Sequence, residues 1–160
     1  MHLQDQILNS LKATLIAART TAASRVYLEG VDTIETDATP ALQIDIGPET
    51  VDVISVSRPR TVRRTLDVFI RIVVAQNSAY RVAAGNLLAQ VETALHATDV
   101  ANSAGGIAPD GLTLIATDPD RDGNAATVTY AIRSLWRMRY LTKENAPSGV
   151  PPAVPLVVTP

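Results

Sequence analysis

Leu3, Ile7, Leu11, Leu15 and Ala18 recur at steps of four and three, which lays them along one stripe of a helix. Leu8 and Ile16 widen the stripe, and the pattern predicts an amphipathic helix over 3–19. Asp5 falls in its first turn, where a carboxylate meets the positive end of the helix dipole. The run Thr20-Thr21-Ala22-Ala23-Ser24 ends it. A second stripe joins Tyr80, Ala84, Leu87, Leu88, Val91 and Leu95 and predicts a helix over 78–97, with Asn77 or Ser78 as its N-cap. Gly85 costs this helix about 1 kcal/mol relative to alanine, so it is expected to mark a close packing contact.

Between and after the helices the period changes to two. Residues 25–29 predict a short strand closed by Gly30. After Pro40, Leu42, Ile44 and Ile46 alternate with Gln43 and Asp45 until Gly47-Pro48 interrupts them with a turn or bulge, and 51–57 resume the pattern until Arg58-Pro59-Arg60 breaks it. The strongest strand signal is 62–75. Val62, Leu66, Val68, Ile70, Ile72 and Val74 share one face; Arg63, Thr65, Asp67, Phe69, Arg71 and Val73 share the other. A loop over 98–111, a strand over 112–117, an acidic turn and a long strand over 126–141 complete the body. In that last strand Tyr130, Ile132, Trp136, Met138 and Tyr140 alternate with Thr129, Arg133, Leu135, Arg137 and Arg139.

Strands outnumber crossover helices, which predicts an α+β fold: a mostly antiparallel sheet with both helices packed on one face. The expected organisation is one domain over 1–145 and an extended tail over 146–160, where Pro147, Pro151, Pro152, Pro155 and Pro160 forbid regular helix. At about 3.3 Å per residue the 62–75 strand spans about 46 Å, against a domain diameter of about 40 Å. Its Arg63-Arg64 end, paired back to 51–57, is therefore expected to overhang as a projecting hairpin, an element marginal in water without a partner. The sheet face opposite the helices mixes Arg63, Arg71, Arg133 and Arg137 with Phe69, Val73 and Leu135. That composition suits a protein–protein interface or a solvated face whose arginine stems cover apolar neighbours.

Composition narrows the function classes. The 160 residues hold 14 basic and 16 acidic side chains, a formal net charge of −2, which disfavours a globally basic nucleic-acid binder. Twelve of the 14 cations are arginine; arginine suits interfaces better than lysine, and high genomic GC content also raises its usage. There is no cysteine, which removes thiol nucleophiles, zinc ribbons and iron–sulfur clusters. Aromatics make up 4% of the chain, so Val, Ile, Leu and Ala must fill the core. No apolar run reaches the roughly 18 residues of a membrane span, and the N-terminus lacks the pattern of a secretory signal. The expectation is a soluble chain without membrane contact.

Reactive constellations are not legible. His2 is terminal, and His96 ends the second helix, where a cation meets the negative dipole end. No nucleophile elbow, phosphate loop or dinucleotide fingerprint occurs. Asp118-Pro119-Asp120-Arg121-Asp122-Gly123 resembles the start of a calcium loop, but its twelfth position is Thr129 rather than the bidentate glutamate that calcium loops supply. Asp-Gly between alternating runs reads as a hairpin turn. The chain is thus expected to have no catalytic residues, no metal site and no cofactor. The candidate contact residues are Arg58, Arg60, Arg63 and Arg64, the one basic cluster, together with Phe69, Arg71, Arg133 and Arg137 on the mixed face.

The order of these elements carries a resemblance. The initial helix contains His2-Leu3-Gln4-Asp5-Gln6-Ile7; Arg25-Val26-Tyr27 and Pro40-Ala41-Leu42-Gln43-Ile44 follow; Arg63-Arg64-Thr65-Leu66-Asp67-Val68 opens the long strand; Leu87-Leu88 and Val91-Glu92 lie in the second helix and Thr129-Tyr130 in the last strand. Over roughly 1–142 this resembles the tail terminator, or tail completion, proteins of long-tailed bacteriophages, the lambda-type minor tail family. The resemblance implies a small α/β virion subunit, assembled in the host cytoplasm as a hexameric ring. That ring would cap the tail tube, halt its polymerisation and offer a surface to the head connector. DNA would pass through its lumen without specific binding. Another neck or head-completion adaptor is the alternative, and a small-ligand or metal-binding domain a further one. The tail after Asn145 has no counterpart in the resemblance.

Overall fold

A computed structural model of the chain describes residues 3–29, 34–97, 107–120 and 129–144. Helix α1 covers Leu3–Ala17, strand β1 Val26–Leu28, β2 Ala41–Val53, β3 Thr61–Ala75, helix α2 Tyr80–Ala97, β4 Ile107–Asp120 and β5 Thr129–Lys143. The five strands form one sheet in the order β1-β2-β3-β5-β4. β1 runs parallel to β2 and the other neighbours are antiparallel. The fold is α+β, as the element order predicts.

One cluster joins both helices to one sheet face. Leu3, Ile7, Leu11 and Leu15 of α1 and Leu87, Val91 and Leu95 of α2 pack with Leu42, Ile44, Leu66, Ile70 and Trp136. The two-residue period does this work: β3 and β5 pair Leu66 with Met138, Val68 with Trp136 and Ile72 with Ile132, so the even positions of both strands share the helix side. Polar side chains on that side are tied down. Ser134, fully buried, donates its hydroxyl to the carbonyl of Ile70 at 3.1 Å and accepts the indole N–H of Trp136 at 3.0 Å.

The boundaries shift for local reasons. α1 ends at Ala17 because Arg19 turns left-handed, at φ 51°, and Ala18 and Ile16 of the expected stripe are exposed. Asn77 caps α2, its Oδ1 accepting the N–H of Ala79 at 2.9 Å. Gly85 does not mark a close contact: a Cβ there would meet nothing within 4 Å. The segments 42–46 and 51–57 are one strand, β2, whose register slips between Ile46 and Glu49 at Gly47-Pro48 and which ends at Val53. β4 is longer than the expected 112–117. It takes in Pro109 and Pro119, which an edge strand tolerates because no ladder hydrogen bond is lost on its open side. Asp118 and Asp120 consequently stand in a ladder, opposite Arg133 and Ala131, and not in a turn. Asp122 and Gly123 of the Asp-Gly turn, the 98–106 part of the loop and the proline-rich 146–160 lie outside the described residues.

Candidate functional site

The face opposite the helices is divided. At the end where β2 begins, the residues just before β2 lie over it: Ile34 is buried against Ala41, Val73 and Ala131, with Tyr27 and Ala38 alongside. Val73, an apolar member of the expected mixed face, is therefore internal. The rest of that face carries the arginines at odd positions of β3 and β5.

Arg137 and Arg133 are held in place. Asp67 and Arg137 are direct cross-strand partners, and the guanidinium grips the carboxylate with two bonds, Nε to Oδ1 at 2.8 Å and an Nη to Oδ2 at 3.0 Å. The hydrogen bond and charge of Asp67 raise the pKa of Arg137 further above its ordinary value. Arg133 lies over the ring of Phe69, its guanidinium carbon 4.9 Å from the ring centroid. Phe69 in turn rests on Gly47, where a Cβ would come within 2.8 Å of Cε2. Arg71 stands opposite both Gln43 and Arg133 in the sheet. Of the candidate residues, Phe69, Arg71, Arg133 and Arg137 thus come together on one face.

The basic cluster does not stay together. Arg63 is exposed on that same face, whereas Arg64 points to the helix side. There Arg64 donates from Nη1 to Glu49 Oε2 at 2.7 Å and from Nε to the Thr142 hydroxyl at 3.0 Å. The Tyr140 hydroxyl donates to the other oxygen of Glu49. Burial, then the hydrogen bond and charge of Glu49, raise the pKa of Tyr140 well above that of a free phenol. The Gly47-Pro48 slip explains the placement of Glu49: one extra residue inverts the alternation, so 49, 51 and 53 join 42, 44 and 46 on the helix side. No sequence pattern announces Glu49 or Tyr140 as partners.

The connection between β2 and β3 is the most exposed apolar stretch described. Burial along β2 gives way from Ala41–Ile44 to exposure at Val51 and Val53, and Val56 is 97% accessible. Ile54 is exposed with them, and Arg58 and Arg60 follow. The strand pattern over 51–57 gave no sign that Val51, Val53, Ile54 and Val56 would be exposed. Among the described residues no group of His, Asp and Glu is placed to hold a metal ion. No described helix is long and apolar enough to cross a membrane.

The described surface thus combines Arg137 and Arg133 held by Asp67 and Phe69 with exposed Val53, Ile54 and Val56 after β2. No protein-family model matches the chain, and no curated protein matches it. Among solved structures, a chain of the one titled "Virion of native gene transfer agent (GTA) particle" aligns with a TM-score of 0.51 at 20% identity, over 88% of this chain and 96% of that one. The two chains share a fold.

Proposed function

We propose that this chain is a structural subunit of a tailed, phage-like particle, and that it is the tail terminator. Copies close into a hexameric ring, cap the tail tube, stop its polymerisation and present the surface that the head connector joins. The observation that carries the reading is the shared fold with a chain of a gene transfer agent virion, extending over 96% of that chain. The sequence resemblance over 1–142 narrows it from virion protein to terminator.

The chemistry of the surface supports a protein that works by contact and not by catalysis. Carboxylates that would otherwise be candidates for acid–base work are committed to ion pairs, Asp67 to Arg137 and Glu49 to Arg64. On the face opposite the helices, arginine stands beside apolar and aromatic side chains, a composition enriched at protein interfaces. A formal net charge of −2 suits a ring whose lumen lets DNA pass without binding it.

Electron microscopy of particles assembled without this chain tests the reading. Tails longer than normal are the expected result, since nothing stops the tube. Tails of normal length that lack heads would make the chain a head-side adaptor and overturn the terminator assignment.

A further inference from the structure

The helices do not cover the whole of their sheet face. Val51 and Val53 point to the helix side, yet they are 49% and 55% exposed. They stand opposite Arg64 and Val62 of β3, which in turn stand opposite Tyr140 and Thr142 of β5. Ile54, 45% exposed, continues the patch into the β2–β3 connection. The polar groups beside it are already satisfied, since Glu49 holds both Arg64 and the Tyr140 hydroxyl. Among the described residues the patch lacks only an apolar cover.

The chain itself leaves the sheet beside this patch. Lys143 stands opposite Thr61 at the end of β5, and the N–H of Glu144 donates to the carbonyl of Arg60 at 2.9 Å. The segment 145–160 thus starts two strands from Val53, about 10 Å across the sheet. It carries no charged side chain, and Val150, Val154, Leu156, Val157 and Val158 give it apolar bulk. Its prolines reduce the conformations that docking must give up and remove backbone N–H donors that docking would otherwise bury. At about 3.1 Å per residue, the stretch from Glu144 to Ala153 reaches at most about 28 Å, well beyond the span required.

We propose that residues 145–160 fold back over the β2–β3 connection of their own chain and cover Val51, Val53 and Ile54 with the valines and leucine of 150–158. A second copy's segment has the same chemistry, but the chain's own is tethered beside the patch, and a short tether gives an effective concentration in the range of about 1 mM or more. The segment thereby shields the apolar end of the free chain. It lies outside the resemblance over 1–142, so the terminator reading does not call for this contact, and the two stand or fall separately.

Disulfide trapping in the full chain tests it. The chain has no cysteine, so an introduced pair reports on its own contact alone. V53C/A153C is expected to close an intrachain disulfide about tenfold faster than D52C/A153C. Asp52 is the neighbour of Val53 but lies on the opposite sheet face, across from Arg63. Each rate is taken relative to the reaction of the same position 52 or 53 thiol with oxidised glutathione, which removes differences in thiol exposure. Adding V154D/L156D to both pairs is expected to bring their rates together. Circular dichroism of each variant matching the wild type confirms that the fold is kept. In the unmodified chain, NOE contacts between the methyl groups of Val51 or Val53 and those of 150–158 are expected as well. Equal relative rates for the two pairs, a bond that forms only between two chains, rates that ignore V154D/L156D, or a wild type without those NOE contacts would overturn the inference.

Discussion

Gly47 lies beneath the ring of Phe69 so closely that a Cβ built on it would fall 2.8 Å from Cε2 and 3.0 Å from the backbone oxygen of Asp67. The ring has some freedom; the carbonyl of the neighbouring strand has little. Gly47→Ala is therefore expected to destabilise the chain by about 1–3 kcal/mol, the usual cost of overpacking. Phe69→Leu in the same background is expected to recover part of the loss. Urea denaturation checks both, and an unchanged midpoint for Gly47→Ala would show that the bulge can open.

Ser134 gives a second test inside the core. Ser134→Ala removes the acceptor of the Trp136 indole N–H, leaving a buried donor unsatisfied at about 1–3 kcal/mol. Trp136 is the only tryptophan in the chain, so its emission reports the unfolding transition directly. The variant is expected to unfold at lower urea concentration with a similar slope.

Tyr140 sets a pH dependence. Its pKa is raised in the folded state, so the folded chain keeps the phenolic proton where the unfolded chain gives it up. Stability from this group is fully present below the unfolded value of about 10 and declines as pH rises through the window above it, by at most about 1.4 kcal/mol per pH unit. Thermal denaturation between about pH 9 and pH 11 is expected to show a fall in the wild type that Tyr140→Phe flattens. Equal slopes for the two would remove Tyr140 as the source.

The Asp67–Arg137 pair is expected to behave as a surface device. Asp67→Asn and Arg137→Gln each lower the thermal midpoint slightly, the double variant falls short of their sum, and high salt shrinks the difference. A double-mutant cycle at two salt concentrations measures this; strict additivity would mean that the pair orders the face without stabilising it.

Much of the fold was legible because its two periods are clean. The even positions of β3 and β5 are apolar almost without break, and the stripes of α1 and α2 place Leu11 and Leu87 inward without ambiguity. The parts that were not legible fail for physical reasons. A bulge adds one residue and inverts a face, so Glu49, Val51 and Val53 changed sides with no signal beyond Gly47-Pro48. β4 contains two prolines that argue against a strand, and only its position at the sheet edge makes them harmless. Arg63 and Arg64, adjacent in sequence, look like one basic patch; period two sends them to opposite faces, one to an exposed surface and one to Glu49. Ile34 had no periodic neighbours to announce that it would cover Val73. Gly85 misled because its cost in a helix suggested a packing reason that the open space around it does not supply.

The proposed capping role is tested most directly by adding the purified chain to growing tail tubes of the particle it is proposed to belong to and measuring their length by electron microscopy. Amounts far below one copy per tube subunit are expected to arrest growth, with density for the chain at one tube end only. Tubes that lengthen at the same rate with and without it, their ends bare, would contradict the account.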